Sequence, residues 1–345
     1  MLADTTMNVG VLGGGAMAAR HLRSLAAVPG VRVLGLAAPE IDDYTVALCD
    51  RHQVPVHTDP NRIFDGDHIM AKLDAVVIAT PTDTHAELIE MSANAAVHVF
   101  CEKPLDRTTL KAQQSMRICE AAEIKLAVGH VVRYFQSYSY IQEAVSTGKI
   151  GHPGMAKCRR VSGPPGASRA WYRNDDRSGG VLMDMGVHDF DWLRWCLGPV
   201  ERVSALVSPT DRGPVAMATL AHRSGAISTV DVCWMDPGGF ATAVEVSGTE
   251  GLIRHDSKRA ATFGIELWPS GEAPMASVEV PVGDDGYDPY LEEIKDVLSW
   301  IAGGSAPRVG AGDAVAAIAL AEAANLSARE RRVVDMEEFA PEVQM

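Results

Sequence analysis

The chain has 345 residues, 47% hydrophobic and 22% charged, the balance of an ordinary soluble globular protein of two or three domains. Its 31 basic and 45 acidic residues leave a net charge of −14, which repels phosphate backbones and anionic bilayers and argues against nucleic-acid and membrane partners. Six cysteines (Cys49, Cys101, Cys119, Cys158, Cys196, Cys233) form no CxxC pair, so they read as buried small hydrophobes in a reducing compartment, not as a disulfide framework.

The first residues, Met1 to Thr6, carry an acid and no cationic region, unlike a secretory signal. The apolar run Met7 to Leu12 predicts a strand that ends in Gly13-Gly14-Gly15, and Ala16 to Ala27 reads as a helix. Short apolar runs at Val31 to Ala37, Ala75 to Ala79, Val97 to Cys101 and Lys125 to Val128 predict further strands, with helices at Thr84 to Ala95 and Thr108 to Ala122. Continuous apolar strands alternating with helices imply an α/β unit, a doubly wound parallel sheet over residues 1–126. Beyond about His130 the chain turns rich in Gly, Pro and Ser, with alternating stretches at Gly225 to Val232 and Ala243 to Ser247. Helical patterns recur at Gly180 to Cys196 and Ala311 to Arg329, so residues 127–345 are expected to form an α+β domain with an open, mostly antiparallel sheet. Ala314 to Ala321 is the most apolar stretch and is far shorter than the ~20 residues of a membrane span, which makes a cytoplasmic protein the expectation.

Gly13-x-Gly15-x-x-Ala18 lies between a strand and a helix, where a Rossmann fold receives a pyrophosphate on free backbone N–H groups. Gly13, Gly15, Ala16 and Met17 are therefore expected to bind NAD or NADP. The second strand should end in an acid for the adenosine ribose, but that place holds Ala38. No Lys or Arg occurs between Arg32 and Arg51, and Glu40, Asp42 and Asp43 crowd the same loop, which favours NAD.

Three clusters carry the chemistry. Glu102-Lys103-Pro104 follows a strand at the edge where open α/β sheets hold ligands, so Lys103 and Glu102 are candidates for catalysis or cofactor contact. Asp184 and His188 stand four apart on one helical face, the spacing for an oriented acid–base pair, and no HExxH or HxH pattern suggests a metal. Thr80, Pro81 and His85 are expected beside the ribose or nicotinamide, although a helix-capping role explains part of that polarity. Trp171 and Tyr172 suit stacking on a polyhydroxylated ring, and equally an ordinary interface.

In these residues the chain resembles the Gfo/Idh/MocA family of pyridine-nucleotide oxidoreductases. The resemblance rests on the glycine loop, Ala79-Thr-Pro-x-x-x-His85, Glu102-Lys-Pro104, Gly129-His130 with Arg133, Gly179-Gly180 with Asp184-x-x-x-His188, and Val244 to Gly251. It implies a C-terminal substrate-binding domain whose open sheet forms homodimers or homotetramers. It also implies a catalytic role for Lys103, Asp184 and His188 on a sugar, sugar derivative or cyclitol, with Arg133 a candidate substrate contact. A redox-neutral glycoside hydrolase using NAD and a non-catalytic nicotinamide-binding regulator are the alternatives on the same scaffold.

Overall fold

The computed structural model describes residues 6–65, 72–165, 171–259, 263–267, 276–280 and 286–343. Most of the stretch from Met1 to Thr6 read against a signal lies outside them. Contacts divide the chain into two units, Met1–Tyr134 with Asp288–Val315, and Phe135–Tyr287 with Ala316–Met345.

The first unit is built on strands β1 (Met7–Leu12), β2 (Val31–Ala37), β3 (Val56–His57), β4 (Ala75–Ile78), β5 (His98–Glu102) and β6 (Leu126–Gly129). They pair in parallel in the order β3-β2-β1-β4-β5-β6, so the strand order reverses between β1 and β4. Strands β1, β4 and β5 are almost wholly buried, which explains their continuous apolar sequences. Helix α1 (Ala16–Ala26) buries Ala18, Ala19, His21, Leu22, Ser24 and Leu25 on one face.

Residues 288–315 were expected with the second domain, and the division by contacts returns them to the first unit. The helix Pro289–Ile301 supplies the physical reason. Asp288 caps it with Pro at its first turn, and Ile294, Val297 and Leu298 complete the apolar cluster formed by Val9, Val11, Leu22 and Leu25.

The second unit carries β7 (Pro153–Val161), β8 (Val200–Ser208), β9 (Val215–His222), β10 (Ile227–Cys233), β11 (Ala241–Gly248), β12 (Gly251–Asp256), β13 (Phe263–Leu267), β14 (Ala276–Val280) and β15 (Val334–Asp335). Their nine-stranded sheet runs β14-β13-β12-β11-β7-β10-β9-β8-β15. Only β7 and β10 pair in parallel, so the mostly antiparallel expectation holds. Along β7, Ala156, Cys158 and Arg160 point inward in alternation, and the charged Arg160 is buried with the rest.

The helix expected at Gly180 to Cys196 is present as one unbroken run, with a π-helical turn at Leu182–Gly186 leading into the α-helix Val187–Leu197. The helix expected at Ala311 to Arg329 runs Ala311–Glu330. All six cysteines are unbridged; Cys49, Cys101, Cys119 and Cys158 are buried, whereas Cys196 and Cys233 are half-buried, against the expectation that all six would be. Among the described residues no helix is long and apolar enough to cross a membrane.

Candidate active site

The glycine turn joins β1 to α1, and its three glycines answer different demands. Gly13 has φ +134°, a region that side chains rarely adopt, and a Cβ there would strike the carbonyl oxygen of Ala79. A Cβ on Gly14 would strike the carbonyl oxygen of Glu40, because Asp42 N–H donates to Gly14 O at 2.9 Å and draws that loop close. At Gly15 the chain makes no such demand. Its φ is −107° and no described atom lies within 4 Å of the place a Cβ would take. Gly15 is the N-cap of α1 with no side-chain cap, and the first turn of α1 holds no acid. The N–H groups of that turn therefore open onto free space that a side chain at residue 15 would enter, which fits the pyrophosphate of a dinucleotide. Gly15→Val should stay folded, losing about 1 kcal/mol for a poor N-cap, and weaken NADH binding by about tenfold or more, measured by fluorescence titration. An unchanged dissociation constant would place the pyrophosphate elsewhere. Gly13→Ala should instead lose stability, because its backbone is strained.

At the end of β2, Ala38 is buried and its N–H donates to His57 O at 3.1 Å. Glu40 is exposed, and Asp42 caps the helix Asp43–His52 by accepting the Thr45 N–H at 2.7 Å.

His85 lies between the ends of β4 and β5. Its ring is buried, with Nε2 at 3.0 Å from Thr80 O and Nδ1 at 3.0 Å from Pro104 O. Burial pushes its pKa below the ordinary histidine value, although those two carbonyls and the charges of Glu102 and Asp106 pull the other way. Thr84 donates to Thr80 Oγ1 at 2.8 Å and lies within reach of Pro81 O.

Glu102, the last residue of β5, is buried beside the half-buried Lys103. Its Oε1 accepts from His21 Nε2 at 2.6 Å, and its Oε2 accepts the backbone N–H of Lys103 at 3.1 Å. Burial alone would raise the Glu102 pKa. The His21 hydrogen bond, with the charge and backbone N–H of Lys103, outweighs it and holds the carboxyl below its ordinary value. His21 was not singled out in the sequence. Its signal was a histidine one turn after Ala18, on the apolar face of α1.

Arg133 is buried, and its Nη1 donates to Arg308 O at 2.8 Å and lies 3.3 Å from Asp313 Oδ2. A substrate contact from this guanidinium would have to share or displace those partners.

In the second unit, Gly179 and Gly180 both have φ of +79°, and Asn325 Nδ2 donates to Gly179 O at 3.0 Å. Asp184 lies in the π-helical turn and His188 in the first turn of the helix after it. Such turns recur at functional sites because the widened backbone re-aims the side chains around it. Asp184 is buried and His188 half-buried. The neighbouring Asp189 is held by two bonds from Arg160, Nε at 2.9 Å and Nη2 at 2.8 Å, with both side chains buried. Trp171 and Tyr172 stack at 3.9 Å with 26° between their planes, and Tyr172 meets Trp234 edge-on at 6.2 Å. The first unit thus gathers Gly15, Thr80, His85, Glu102 and Lys103 at strand ends and on the adjoining helix, while Asp184, His188, Trp171 and Tyr172 belong to the second. Among the described residues, no cluster of three or more His, Cys, Asp or Glu gathers as metal ligands.

A parallel sheet of this strand order with a glycine turn after its first strand defines a Rossmann-type dinucleotide-binding protein. Residues 7–130 match the model described as "Oxidoreductase family, NAD-binding Rossmann fold", and residues 138–254 match the "GFO/IDH/MocA C-terminal domain". The chain belongs to the Gfo/Idh/MocA family of oxidoreductases. It is 29% identical over 343 residues to myo-inositol 2-dehydrogenase of Thermotoga maritima, covering 96% of this chain and 99% of that one. It is 28% identical over 344 residues to inositol 2-dehydrogenase of Rhizobium meliloti, with the same coverage of 96% and 99%. The solved structure of GenD2 from gentamicin A biosynthesis, in complex with NAD, superposes with a TM-score of 0.83 at 26% identity over 96% of each chain.

Proposed function

We propose that this oxidoreductase is an NAD-dependent dehydrogenase acting on a secondary alcohol, or the matching ketone, of a cyclitol, sugar or sugar derivative. The observation that carries the reading is the presence, within one unit, of an unobstructed helix opening at Gly15 and a Lys103 whose backbone is clamped at the carboxyl end of β5. The nicotinamide, when bound, supplies the hydride chemistry. Lys103 donates a hydrogen bond to the reacting oxygen and stabilises its developing negative charge. His188 takes the hydroxyl proton, or returns it in the reverse direction, and Asp184 orients the imidazole or bonds the substrate. Ala16 and Met17 offer N–H groups to the pyrophosphate, Ala38 borders the ribose, and Thr80 and Pro81 border the nicotinamide. His85, between the carbonyls of Thr80 and Pro104, acts on the nucleotide through the segment whose carbonyl takes its single N–H.

The preference for NAD rests on charge. A 2′-phosphate near Ala38 would meet Glu40, Asp42 and Asp43, with no cation in the sequence between Arg32 and Arg51. The inositol dehydrogenases at 29% and 28% identity support a cyclitol substrate. The stacked Trp171 and Tyr172 offer an aromatic face to such a ring in the second unit, which is the proposed substrate and assembly domain. Leu206, Met217 and Ile227 stand exposed on that unit's sheet, which fits a homodimer or homotetramer. No observation favours the redox-neutral glycosidase or the silent regulator.

The test is a panel of inositols, aldoses, uronates and amino sugars offered with NAD⁺ and with NADP⁺, followed by absorbance of the reduced dinucleotide. Reduction with an inositol is expected, with kcat/KM for NAD⁺ exceeding that for NADP⁺ by about tenfold or more. Absence of reduction across the panel would overturn the reading, and a preference for NADP⁺ would overturn the charge argument.

A further inference from the structure

We propose that His21 is a positioning residue for Lys103: through the Glu102 carboxylate it ties the strand end carrying Lys103 to α1, the helix that opens at the glycine turn. The inference rests on the dehydrogenase reading in one respect, that Lys103 touches the reacting oxygen.

The geometry leaves Glu102 a single arrangement. One oxygen takes His21 Nε2 at 2.6 Å and the other takes the Lys103 backbone N–H at 3.1 Å. An ionised carboxylate only accepts, so Nε2 carries its hydrogen in either charge state of the ring. Nδ1 is buried with no hydrogen-bond partner among the described residues, so the carboxylate is the ring's one polar anchor. The His21 ring is confined edge-on by Phe100 at 5.2 Å and Tyr290 at 6.3 Å. Tyr290 in turn lies under the Arg20 guanidinium at 4.6 Å, and Arg20 pairs with Asp288 at 2.7 Å. On the other side Gly129 clears the space, since a Cβ there would approach the Glu102 carboxyl group to 3.3 Å. The bridge therefore runs from α1 through an imidazole and a carboxylate to the main chain of Lys103. Removing the imidazole leaves a buried carboxylate with one donor fewer and frees it to turn, which releases the Lys103 N–H. Displacing a catalytic group by about 1 Å costs on the order of 10²-fold in rate.

The experiment compares His21→Leu, which removes the donor, with His21→Gln, whose amide nitrogen reaches a similar place. His21→Leu should lower kcat by roughly 10- to 100-fold and leave the NADH dissociation constant within about threefold, and His21→Gln should recover most of the loss. Amide hydrogen exchange in the peptide spanning residues 100–105, measured without dinucleotide, should accelerate in His21→Leu and not in His21→Gln. Glu102→Gln, which offers one acceptor oxygen to two donors, should lower kcat in the same direction and carries the test if His21→Leu fails to fold. A merely structural histidine would lower the melting temperature and leave kcat unchanged, which would overturn the proposal. Loss of NADH affinity in step with kcat, or unchanged exchange at 100–105, would overturn it too. Normal turnover by Lys103→Met would instead sink the dehydrogenase reading, while the exchange result still decides the tether.

Discussion

Replacing Lys103 with Met is expected to lower kcat by about 10² to 10⁴, with NADH affinity nearly unchanged. Methionine keeps the length and apolar stem of the side chain and removes the ammonium. The backbone clamp from Glu102 persists, because it holds the residue 103 N–H and not the side chain. On the proposed reading the pyrophosphate is held at the opening of α1, away from this side chain, so the loss should fall on turnover and not on cofactor binding. His188→Asn, which keeps a hydrogen-bonding side chain and removes the proton acceptor, should cost a similar factor. The pH profiles of the two variants separate their roles: the variant that loses the rising limb of kcat has lost the group that accepts the hydroxyl proton. Both variants are read by steady-state kinetics with the best alcohol of the panel and by fluorescence titration of NADH. Near-normal turnover in both would remove the chemical assignment altogether.

Much of the first unit could be read from its sequence because its central strands β1, β4 and β5 are buried on both faces. Val9, Val11, Val76, Val77 and Val99 have no wet face to alternate with, so the runs are unbroken and the glycine turn after the first of them is conspicuous. The edge strand Val56–His57 has only two residues and one paired neighbour, too little for a pattern. Periodicity also fails to say which core an apolar face enters. Ile294, Val297 and Leu298 announce a buried stripe, but nothing in it records that Val9 and Leu25 lie underneath, so the sequence-based boundary left 288–315 with its chain neighbours.

The buried polar residues packed behind the candidate site residues are harder to see for a related reason. Lys103, Asp184 and His188 stand in motifs, whereas His21 and Arg160 occupy positions that the pattern reserves for apolar side chains. A sequence shows the anomaly of a charge at an inward-facing strand position without naming the partner that resolves it. The π-helical turn at Leu182–Gly186 was invisible too, since an almost continuous apolar run fits the i→i+4 and i→i+5 ladders alike.

Arg160 and Asp189 carry the largest expected effect on stability. Their two hydrogen bonds, at 2.9 and 2.8 Å, join β7 to the helix that bears His188, and neither group has solvent to fall back on. Arg160→Met leaves the Asp189 carboxylate buried without its cation, an arrangement that typically costs about 3–5 kcal/mol. Urea denaturation of the whole chain, followed by far-ultraviolet circular dichroism, should register a loss of that size. Adding Asp189→Leu to Arg160→Met should restore most of it, because two apolar side chains need no compensation and buried ion pairs are often matched by apolar replacements. Turnover separates packing from positioning. If the pair also fixes the register of His188, the double variant regains its stability while kcat stays depressed. A single variant that loses less than about 1 kcal/mol would show that the apolar contacts of Trp192 and Phe190 hold this helix without the ion pair.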